Sequence, residues 1–291
     1  MVASGKVKET RSFFRLAFLV VLPALAASGC FPWRAPERVK EYRSVQEALA
    51  QGARATAVNL SGKELTELPA DLVKLPALAR LSLRNNNLGA LSAAIGDLGT
   101  LAWLDLSEAR ITILPDSIGK LTALQTLYLS DNELEALPST IGDLGALKYL
   151  NLDRNRLKTL GSDLGKLKEI RWLRLNGNQI TSLPAEIGKL EQLERLYVRK
   201  NALKDLPAEL AGLSRLTDLS LGGNQISNLP PCIFKIASLE RLDLEDNGLT
   251  SLPAEIGDLK NLKWLHVERN SLSPEEKARV RKVLPDCMVV F

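Results

Sequence analysis

The sequence predicts a solenoid of the α/β class, in which short parallel strands form a curved sheet on the concave face. Three observations predict it: a 23-residue pattern recurs ten times without insertion or deletion, leucine or isoleucine recurs at fixed places within it, and asparagine occupies the ninth place of eight units. The convex face is expected to carry turns, 3-10 helices or short helical segments. A helical cap is expected at each end, because the terminal units of a solenoid would otherwise expose their core.

The repeat is clearest in the unit that begins at Leu124, which reads LQTLYLSDNELEALPSTIGDLGA. Leucines at the first, fourth and sixth places are predicted to point inward from a short strand, since alternate side chains of a strand face opposite sides. The later leucines return the chain over the convex side and close a core that no single unit could bury alone. The ten units begin at Ala55, Leu78, Leu101, Leu124, Leu147, Ile170, Leu193, Leu216, Leu239 and Leu262.

This pattern resembles the leucine-rich-repeat family. The second half of the units, Leu-Pro-x-x-Ile-Gly-x-Leu, is similar to the subgroup seen in Ras-suppressor-like proteins, plant Ras-group repeat proteins and many bacterial ones. The resemblance covers residues 55–284. It implies a leucine-rich-repeat solenoid that serves recognition, and it does not imply a particular partner.

The ninth-place asparagines lie where each strand is predicted to end and the chain turns inward. An amide at that point can satisfy backbone groups that the sheet no longer pairs, so we expect these residues to form a structural ladder. Replacing Asn178 with Leu should cost about 1–3 kcal/mol, because buried backbone groups would lose their partners. The eight are Asn86, Asn132, Asn155, Asn178, Asn201, Asn224, Asn247 and Asn270.

The flanks of the repeats predict the caps. Ser44 and Glu47 form a capping box at the start of a short helix. Pro274 follows Ser273 at the first helical place, and Glu276 completes a second box. The predicted organisation is a signal peptide over 1–29, a tether over 30–43, an N-terminal cap helix over 44–54, ten repeats over 55–284 that include a C-terminal cap helix over 274–284, and a terminal strand over 285–291.

Residues 1–29 have the features of a bacterial secretory signal. Basic residues precede an uncharged run of 12 residues, from Leu16 to Ala27, which as a helix would rise only about 18 Å and could not cross a hydrocarbon core of roughly 30 Å. The following Ser28, Gly29 and Cys30 resemble the lipobox of bacterial lipoproteins, which implies lipidation of Cys30 and a membrane anchor. Ordinary signal cleavage, with Cys30 left as a free thiol in a secreted protein, is the alternative.

The residue after the cysteine is Phe31 rather than aspartate. By analogy with lipoprotein sorting, this implies the outer membrane, with the inner membrane as an alternative. Loss of the signal, which holds four basic residues and one acidic residue, lowers the formal charge from +4 to about +1. No nucleic-acid partner is therefore predicted, since binding would require a basic stripe in the mature protein. The spacing of Cys232 and Cys287 does not predict a disulfide.

The predicted concave face is rich in tryptophan and tyrosine. The third and fifth places of ten units give twenty solvent-facing slots, and six of them are aromatic where the 5% aromatic content of the chain predicts about one. Both ring types tolerate partial exposure and are enriched at interfaces. The six are Trp103, Tyr128, Tyr149, Trp172, Tyr197 and Trp264.

A basic cluster surrounds these rings, and acidic residues flank it on both sides. We therefore predict that the face binds a protein or peptide of mixed charge, with the rings as anchors and the arginines holding acidic groups. The basic cluster is Arg154, Arg156, Arg174, Arg195, Arg199 and Lys200; the acids are Asp105, Glu108, Asp131 and Glu133 on one side and Asp218, Asp243, Glu245 and Asp246 on the other. The predicted ligand-binding residues are Trp103, Tyr128, Tyr149, Trp172, Arg174, Arg195, Tyr197 and Arg199.

Three other interpretations of this face stay open. The same rings could stack on carbohydrate or cell-wall sugars. The solenoid could be a structural spacer in the envelope, or its charges could only keep the strands soluble.

No catalytic site is predicted. His266, the one histidine of the sequence, has no nucleophile or second histidine at motif spacing, and no glycine-rich phosphate loop occurs. Asp243, Glu245 and Asp246 lack the calcium-loop signature. The chain is expected to be a non-enzymatic binding protein without metal or cofactor, and its oligomeric state is left open.

Overall fold

A computed structural model describes residues 40–291 of the chain. These residues form one sheet of twelve parallel strands, arranged in the order in which they follow in the sequence. The strands are β1 (Glu41–Tyr42), β2 (Ala57–Asn59), β3 (Arg80–Ser82), β4 (Trp103–Asp105), β5 (Thr126–Tyr128), β6 (Tyr149–Asn151), β7 (Trp172–Arg174), β8 (Arg195–Tyr197), β9 (Asp218–Ser220), β10 (Arg241–Asp243), β11 (Trp264–His266) and β12 (Met288–Val290).

The register of the sheet follows the 23-residue period. Trp103 pairs with Thr126, Thr126 pairs with Tyr149, and Tyr149 pairs with Trp172, so that equivalent places of successive units are direct neighbours. This confirms the predicted α/β solenoid with its parallel sheet. It also means that side chains at one place of the repeat form a row across the strands.

The core is a stack of leucines behind the sheet. Leu124, Leu127 and Leu129, at the first, fourth and sixth places of one unit, are all 0% exposed. Burying a leucine side chain contributes roughly 1.5–3 kcal/mol, and the same three places recur along the solenoid. The strands can therefore be as short as three residues, because each is held by the neighbouring units rather than by its own length.

The return path of the units consists of short 3-10 helices. A recurring glycine lets successive turns approach one another: a Cβ atom built on Gly119 would lie 2.6 Å from the carbonyl oxygen of Thr140 in the next unit. These helices span Gly52–Arg54, Ala70–Lys74, Ala93–Asp97, Asp116–Lys120, Ser139–Asp143, Ser162–Lys166, Ala185–Lys189, Ala208–Gly212, Ile233–Lys235 and Ala254–Asp258.

An α-helix covers each end of the repeats. The first, α1 (Val45–Leu49), is shorter than the span 44–54 that the sequence suggests, because Gly52–Arg54 continues as a separate 3-10 turn. The second, α2, covers Pro274–Val283. In both helices the capping serine, Ser44 or Ser273, accepts a hydrogen bond from the backbone N–H three residues later, at 3.1 and 3.2 Å.

The structure adds a strand that the sequence analysis did not predict. Within the segment assigned as a tether, Glu41 and Tyr42 pair with Ala57 and Val58 and extend the sheet by β1. Tyr42 is buried, with 7% of its surface exposed. The predicted signal peptide and Cys30 lie outside the described residues. Within residues 40–291, no helix has both the length and the apolar character needed to cross a membrane.

Candidate functional site: an aromatic row on the sheet

The third- and fifth-place side chains lie on the side of the sheet opposite the leucine core, which we call the sheet face. Trp103, Tyr128, Tyr149, Trp172 and Tyr197 are all half-buried there. None of these rings lies in the hydrophobic core behind the sheet. The five predicted anchor residues therefore share one surface.

Four of the rings form a continuous row across β4 to β7, which we call the aromatic row. The ring centroids of Trp103 and Tyr128 lie 5.6 Å apart, those of Tyr128 and Tyr149 lie 5.0 Å apart, and those of Tyr149 and Trp172 lie 5.8 Å apart. The interplanar angles are 56°, 43° and 61°. These tilted and edge-on geometries are favoured between aromatic rings and contribute about 0.5–1.5 kcal/mol per pair beyond burial.

The row zigzags because of Thr126. Trp103, Tyr149 and Trp172 all occupy third places, but the third place of β5 is the small Thr126, which leaves a gap between Trp103 and Tyr149. Tyr128, at the fifth place of β5, contacts both neighbouring rings across this gap. The row is thus a packed unit and not a set of isolated aromatic residues.

An arginine stacks on the ring at each end of the row. The guanidinium carbon of Arg80 lies 4.4 Å from the ring centroid of Trp103, and that of Arg195 lies 4.3 Å from the ring centroid of Trp172. Arg195 was predicted from the sequence, whereas Arg80 was missed. Its signal was available, because Arg80 occupies the third place directly beside Trp103 in the repeat register.

Tyr128 and Tyr149 are both half-buried, and this partial burial affects their ionisation. Burial raises the pKa of Tyr149 to about 12, and it also raises the pKa of Tyr128. Both phenols therefore stay protonated at neutral pH and can donate or accept a hydrogen bond. The row can offer a partner ring edges and hydroxyl groups.

Tyr197 lies beside the row and is held by Arg174, whose guanidinium carbon is 5.5 Å from its ring centroid. Arg174 in turn binds Asp153, with its Nη2 atom 2.6 Å from the carboxylate. The side chain of Asp153 is only 2% exposed, so Arg174 balances a buried charge. Trp264 is apart from the row and contacts His266, with ring centroids 6.3 Å apart.

Most of the predicted basic cluster is neutralised within the chain. Arg154 and Arg156 bind Asp131 and Glu133, and Arg199 binds both Asp243 and Glu245. The hydrogen bond from Arg199 lowers the pKa of Glu245. Arg174 and Arg199, predicted as ligand-binding residues, therefore have carboxylate partners already. Lys200 is the member of the cluster that forms no ion pair within residues 40–291.

The asparagines form hydrogen bonds between consecutive units. The side-chain amide of Asn155 donates to the carbonyl of Leu152 in its own unit, at 3.1 Å, and to that of Leu129 in the preceding one, at 2.9 Å. Its Oδ1 atom accepts from the N–H of Leu134 at 3.1 Å. The same pattern of donors and acceptors recurs at Asn86, Asn132, Asn178, Asn201, Asn224, Asn247 and Asn270.

The eighth place of each unit carries a constraint that the sequence did not indicate. From Gly62 to Arg269 every eighth-place residue has a left-handed backbone, with φ between 51° and 69°. This conformation favours glycine, yet most of these positions hold other residues, including Asp131, Arg154 and Lys200. Hydrophobic periodicity does not detect the turn, because the eighth place is not a core position. Gly, Asn or Asp, which tolerate this conformation, hold six of the ten positions.

The described residues contain no cluster of three or more His, Cys, Asp or Glu side chains that could hold a metal ion. Asp243 and Glu245 are instead bound by Arg199. Cys232 and Cys287 are free thiols. Burial raises the pKa of both, that of Cys287 to about 11, which disfavours the reactive thiolate.

Comparisons with known proteins agree with this architecture. A family model described as leucine-rich repeat region matches residues 93–162 and 157–224, and a second, described as leucine rich repeat, matches residues 214–272. Together the matches span more than half of the chain. No curated protein matches the sequence.

Several solved structures are similar. The chain is 26% identical to the plant peptide hormone receptor RGFR1, solved in complex with RGF2, with a TM-score of 0.69 over 87% of this chain and 41% of the receptor chain. It is 28% identical to internalin C2 from Listeria monocytogenes, with a TM-score of 0.58 over 67% of this chain and 82% of that one. A TDR receptor is 27% identical, with a TM-score of 0.64 over 88% of this chain and 50% of that one. The chain thus spans half or less of the two receptor chains.

Proposed function

Because the chain belongs to the leucine-rich-repeat family, we propose that it is a non-enzymatic binding protein that recognises a protein or peptide through the sheet face. Proteins with this fold typically act as binding scaffolds. The observation that carries the proposal is the aromatic row, in which four half-buried rings form one packed surface. Tryptophan, tyrosine and arginine are the residue types that dominate the energetics of protein interfaces.

Two features favour a peptide or protein over a carbohydrate. The rings are tilted against one another by 43° to 61°, so they do not form a flat platform. A guanidinium group also covers a face of Trp103 and a face of Trp172. Sugars bind aromatic residues by stacking on open ring faces, whereas protein partners also use ring edges and hydroxyl groups. RGFR1 is a peptide hormone receptor, which supports the same class of partner.

The test compares two tryptophans that occupy the same place of the repeat. Trp172→Ala removes a ring from the row, while Trp264→Ala removes one that contacts only His266 among the rings. In pull-downs from the native envelope followed by titration of the captured protein, Trp172→Ala should weaken binding about 30-fold, corresponding to about 2 kcal/mol. Trp264→Ala should bind like wild type. Equal affinity of all three proteins would contradict the proposal.

We further propose that the chain is exported and anchored by a lipid on Cys30, with the outer membrane as its location. The support comes from the sequence of residues 1–30 alone. Metabolic labelling with a palmitate analogue should label the wild type and leave Cys30→Ser unlabelled and released from the membrane fraction. Labelling of Cys30→Ser at the wild-type level would exclude this anchor.

A further inference from the structure

The two arginines at the ends of the aromatic row differ from the other arginines of the sheet face. Arg80 stacks on Trp103 and forms no hydrogen bond or ion pair through its guanidinium group within residues 40–291. Arg195 stacks on Trp172 and forms a long ion pair with Asp218, whose carboxylate lies 3.8 Å from Nε, beyond hydrogen-bond distance. Both groups thus keep N–H donors without acceptors in the described part of the chain.

The remaining third- and fifth-place arginines are each hydrogen-bonded to a carboxylate. Arg174 donates to Asp153 at 2.8 Å, and Arg241 donates to Asp218 at 2.9 Å. Asp218 is therefore already bound when it faces Arg195. Near Arg80, the carboxylate of Asp105 accepts a hydrogen bond from the backbone N–H of Ser107 at 2.9 Å.

A guanidinium group that stacks on a ring is oriented for an external acceptor. Contact with the ring restricts the side chain and leaves N–H groups available, and a guanidinium can pair two of them with the two oxygens of a carboxylate. Because the stacked ring has already restricted the side chain, less conformational entropy is lost when an acceptor binds. The two ends of the row are therefore preorganised for anionic groups.

The distance between these ends defines the length of the ligand. Arg80 lies on β3 and Arg195 on β8, five strand spacings apart in the sheet. At about 4.8 Å per spacing they are roughly 24 Å apart, which an extended peptide spans with about seven residues. Between them the ligand would cross the rings of Trp103, Tyr128, Tyr149 and Trp172.

We propose that the aromatic row binds one extended peptide segment that carries two carboxylates about seven residues apart, with apolar or aromatic residues between them. Arg80 and Arg195 each hold one carboxylate, and the four rings pack against the intervening side chains. This inference rests on the proposed function and specifies the chemistry of its partner. Of the arginines predicted from the sequence to bind the ligand, Arg195 keeps this role. Arg80 takes the role that was predicted for Arg174 and Arg199.

The experiment selects peptides from a random 12-residue display library on the full mature chain. The affinities of the selected peptides are then measured by fluorescence anisotropy. The selected sequences should be enriched in pairs of Asp or Glu six to eight positions apart. Changing both acids of a selected peptide to Asn or Gln should weaken binding at least about 100-fold, since each charge-assisted pair is expected to contribute about tenfold.

The matched protein variants lose the same charge at different sites. R80Q/R195Q should weaken binding of the acidic peptide about 100-fold. R215Q/R269Q should leave it unchanged, because Arg215 contacts Gln192 and Arg269 pairs with Glu245, both away from the row. Circular dichroism checks that both variants fold. The acid-to-amide peptides give the same answer without any change to the protein.

Failure of the inference can be distinguished from failure of the proposed function. If selected peptides depend on Trp172 but lack paired acids, or bind R80Q/R195Q as tightly as wild type, the ligand chemistry is wrong and the docking surface stands. If no peptide is selected, both proposals fail. Binding of an acidic oligosaccharide in place of peptides, or self-association through the sheet face measured by sedimentation, would likewise overturn the peptide assignment.

Discussion

Asn132 should contribute more to stability than Asn178, although both hold the ninth place of a unit. Asn132 accepts hydrogen bonds from the backbone N–H groups of Ala109, at 3.1 Å, and Ile111, at 2.9 Å. Asn178 accepts from the N–H of Leu157 only, at 3.1 Å. The unit before Asn132 carries Ala109 at its ninth place, whereas the unit before Asn178 carries Asn155 there.

Leucine at either position replaces the amide with an apolar side chain of comparable size. Asn178→Leu leaves the N–H of Leu157 without a partner, which should cost about 1–3 kcal/mol. The carbonyls of Leu152 and Leu175 lose one donor each and keep the amides of Asn155 and Asn201. Asn132→Leu also strands the N–H of Ala109, whose residue is 0% exposed. An unpaired buried donor costs about 1–3 kcal/mol, so the total for Asn132→Leu should be roughly 2–6 kcal/mol.

Urea unfolding followed by far-ultraviolet circular dichroism measures both variants against wild type. Each leucine occupies an equivalent site, so differences in side-chain volume cancel in the comparison. Asn132→Leu should have a lower unfolding midpoint than Asn178→Leu. Equal midpoints, or a lower midpoint for Asn178→Leu, would refute the claim that the additional acceptor bond stabilises the solenoid.

Two further predictions concern the convex turns and the tyrosines. Gly188→Ala should destabilise the chain by about 1–3 kcal/mol, because its Cβ would collide with the carbonyl oxygen of Glu209. Gly99→Ala is the control, since its Cβ meets no atom within 4 Å and the change should be close to neutral. Thermal melts compare the two variants, and a Gly188→Ala protein as stable as wild type would refute the close approach. Burial raises the pKa of Tyr149 to about 12 in the folded chain, against about 10 when unfolded. The folded state therefore holds this proton more tightly, and stability should fall as the pH rises from about 10 to about 12. In urea titrations over that range, the free energy of unfolding should fall less for Tyr149→Phe than for wild type. Identical slopes of this free energy against pH would contradict the burial of the Tyr149 hydroxyl.

The fold could be predicted because the repeat determines it. Once every unit has 23 residues, the strands must align in register, and the leucine places identify the buried side of each strand. The caps could also be located, since Ser44 and Ser273 accept the expected backbone hydrogen bonds. The short strand β1 could not, because its two residues show no alternation that a periodicity reading could detect.

The rings of the candidate site could be predicted from the sequence, whereas the ion pairs of its arginines could not. Solvent-facing tryptophans and tyrosines follow directly from the third and fifth places. Whether an arginine is already paired depends on which carboxylate lies beside it in three dimensions. Arg199, for example, binds Asp243 and Glu245, two units further along the chain. Sequence spacing alone therefore grouped Arg174, which is hydrogen-bonded to Asp153, with Arg195, and it overlooked Arg80.

The left-handed turn after each strand is a further feature that was not predicted from the sequence. Eighth-place residues such as Asp131 and Arg154 adopt positive φ although they are not glycine. The surrounding hydrogen bonds impose this conformation, including the bond from the N–H of Asp131 to the carbonyl of Asp153, at 2.9 Å. Local residue preferences favour this conformation at Asp131 but not at Arg154, where the three-dimensional context determines it.

The central claim is that a partner docks on the aromatic row, and site-specific photocrosslinking tests it most directly. A photoreactive phenylalanine analogue at Tyr128 lies within the row, whereas the same analogue at Ile113, which is 67% exposed, lies outside the sheet face. In cells, position 128 should crosslink to a partner, a peptide selected on the sheet face should block that crosslink, and position 113 should give none. A crosslink from position 113 but not from position 128 would contradict the account.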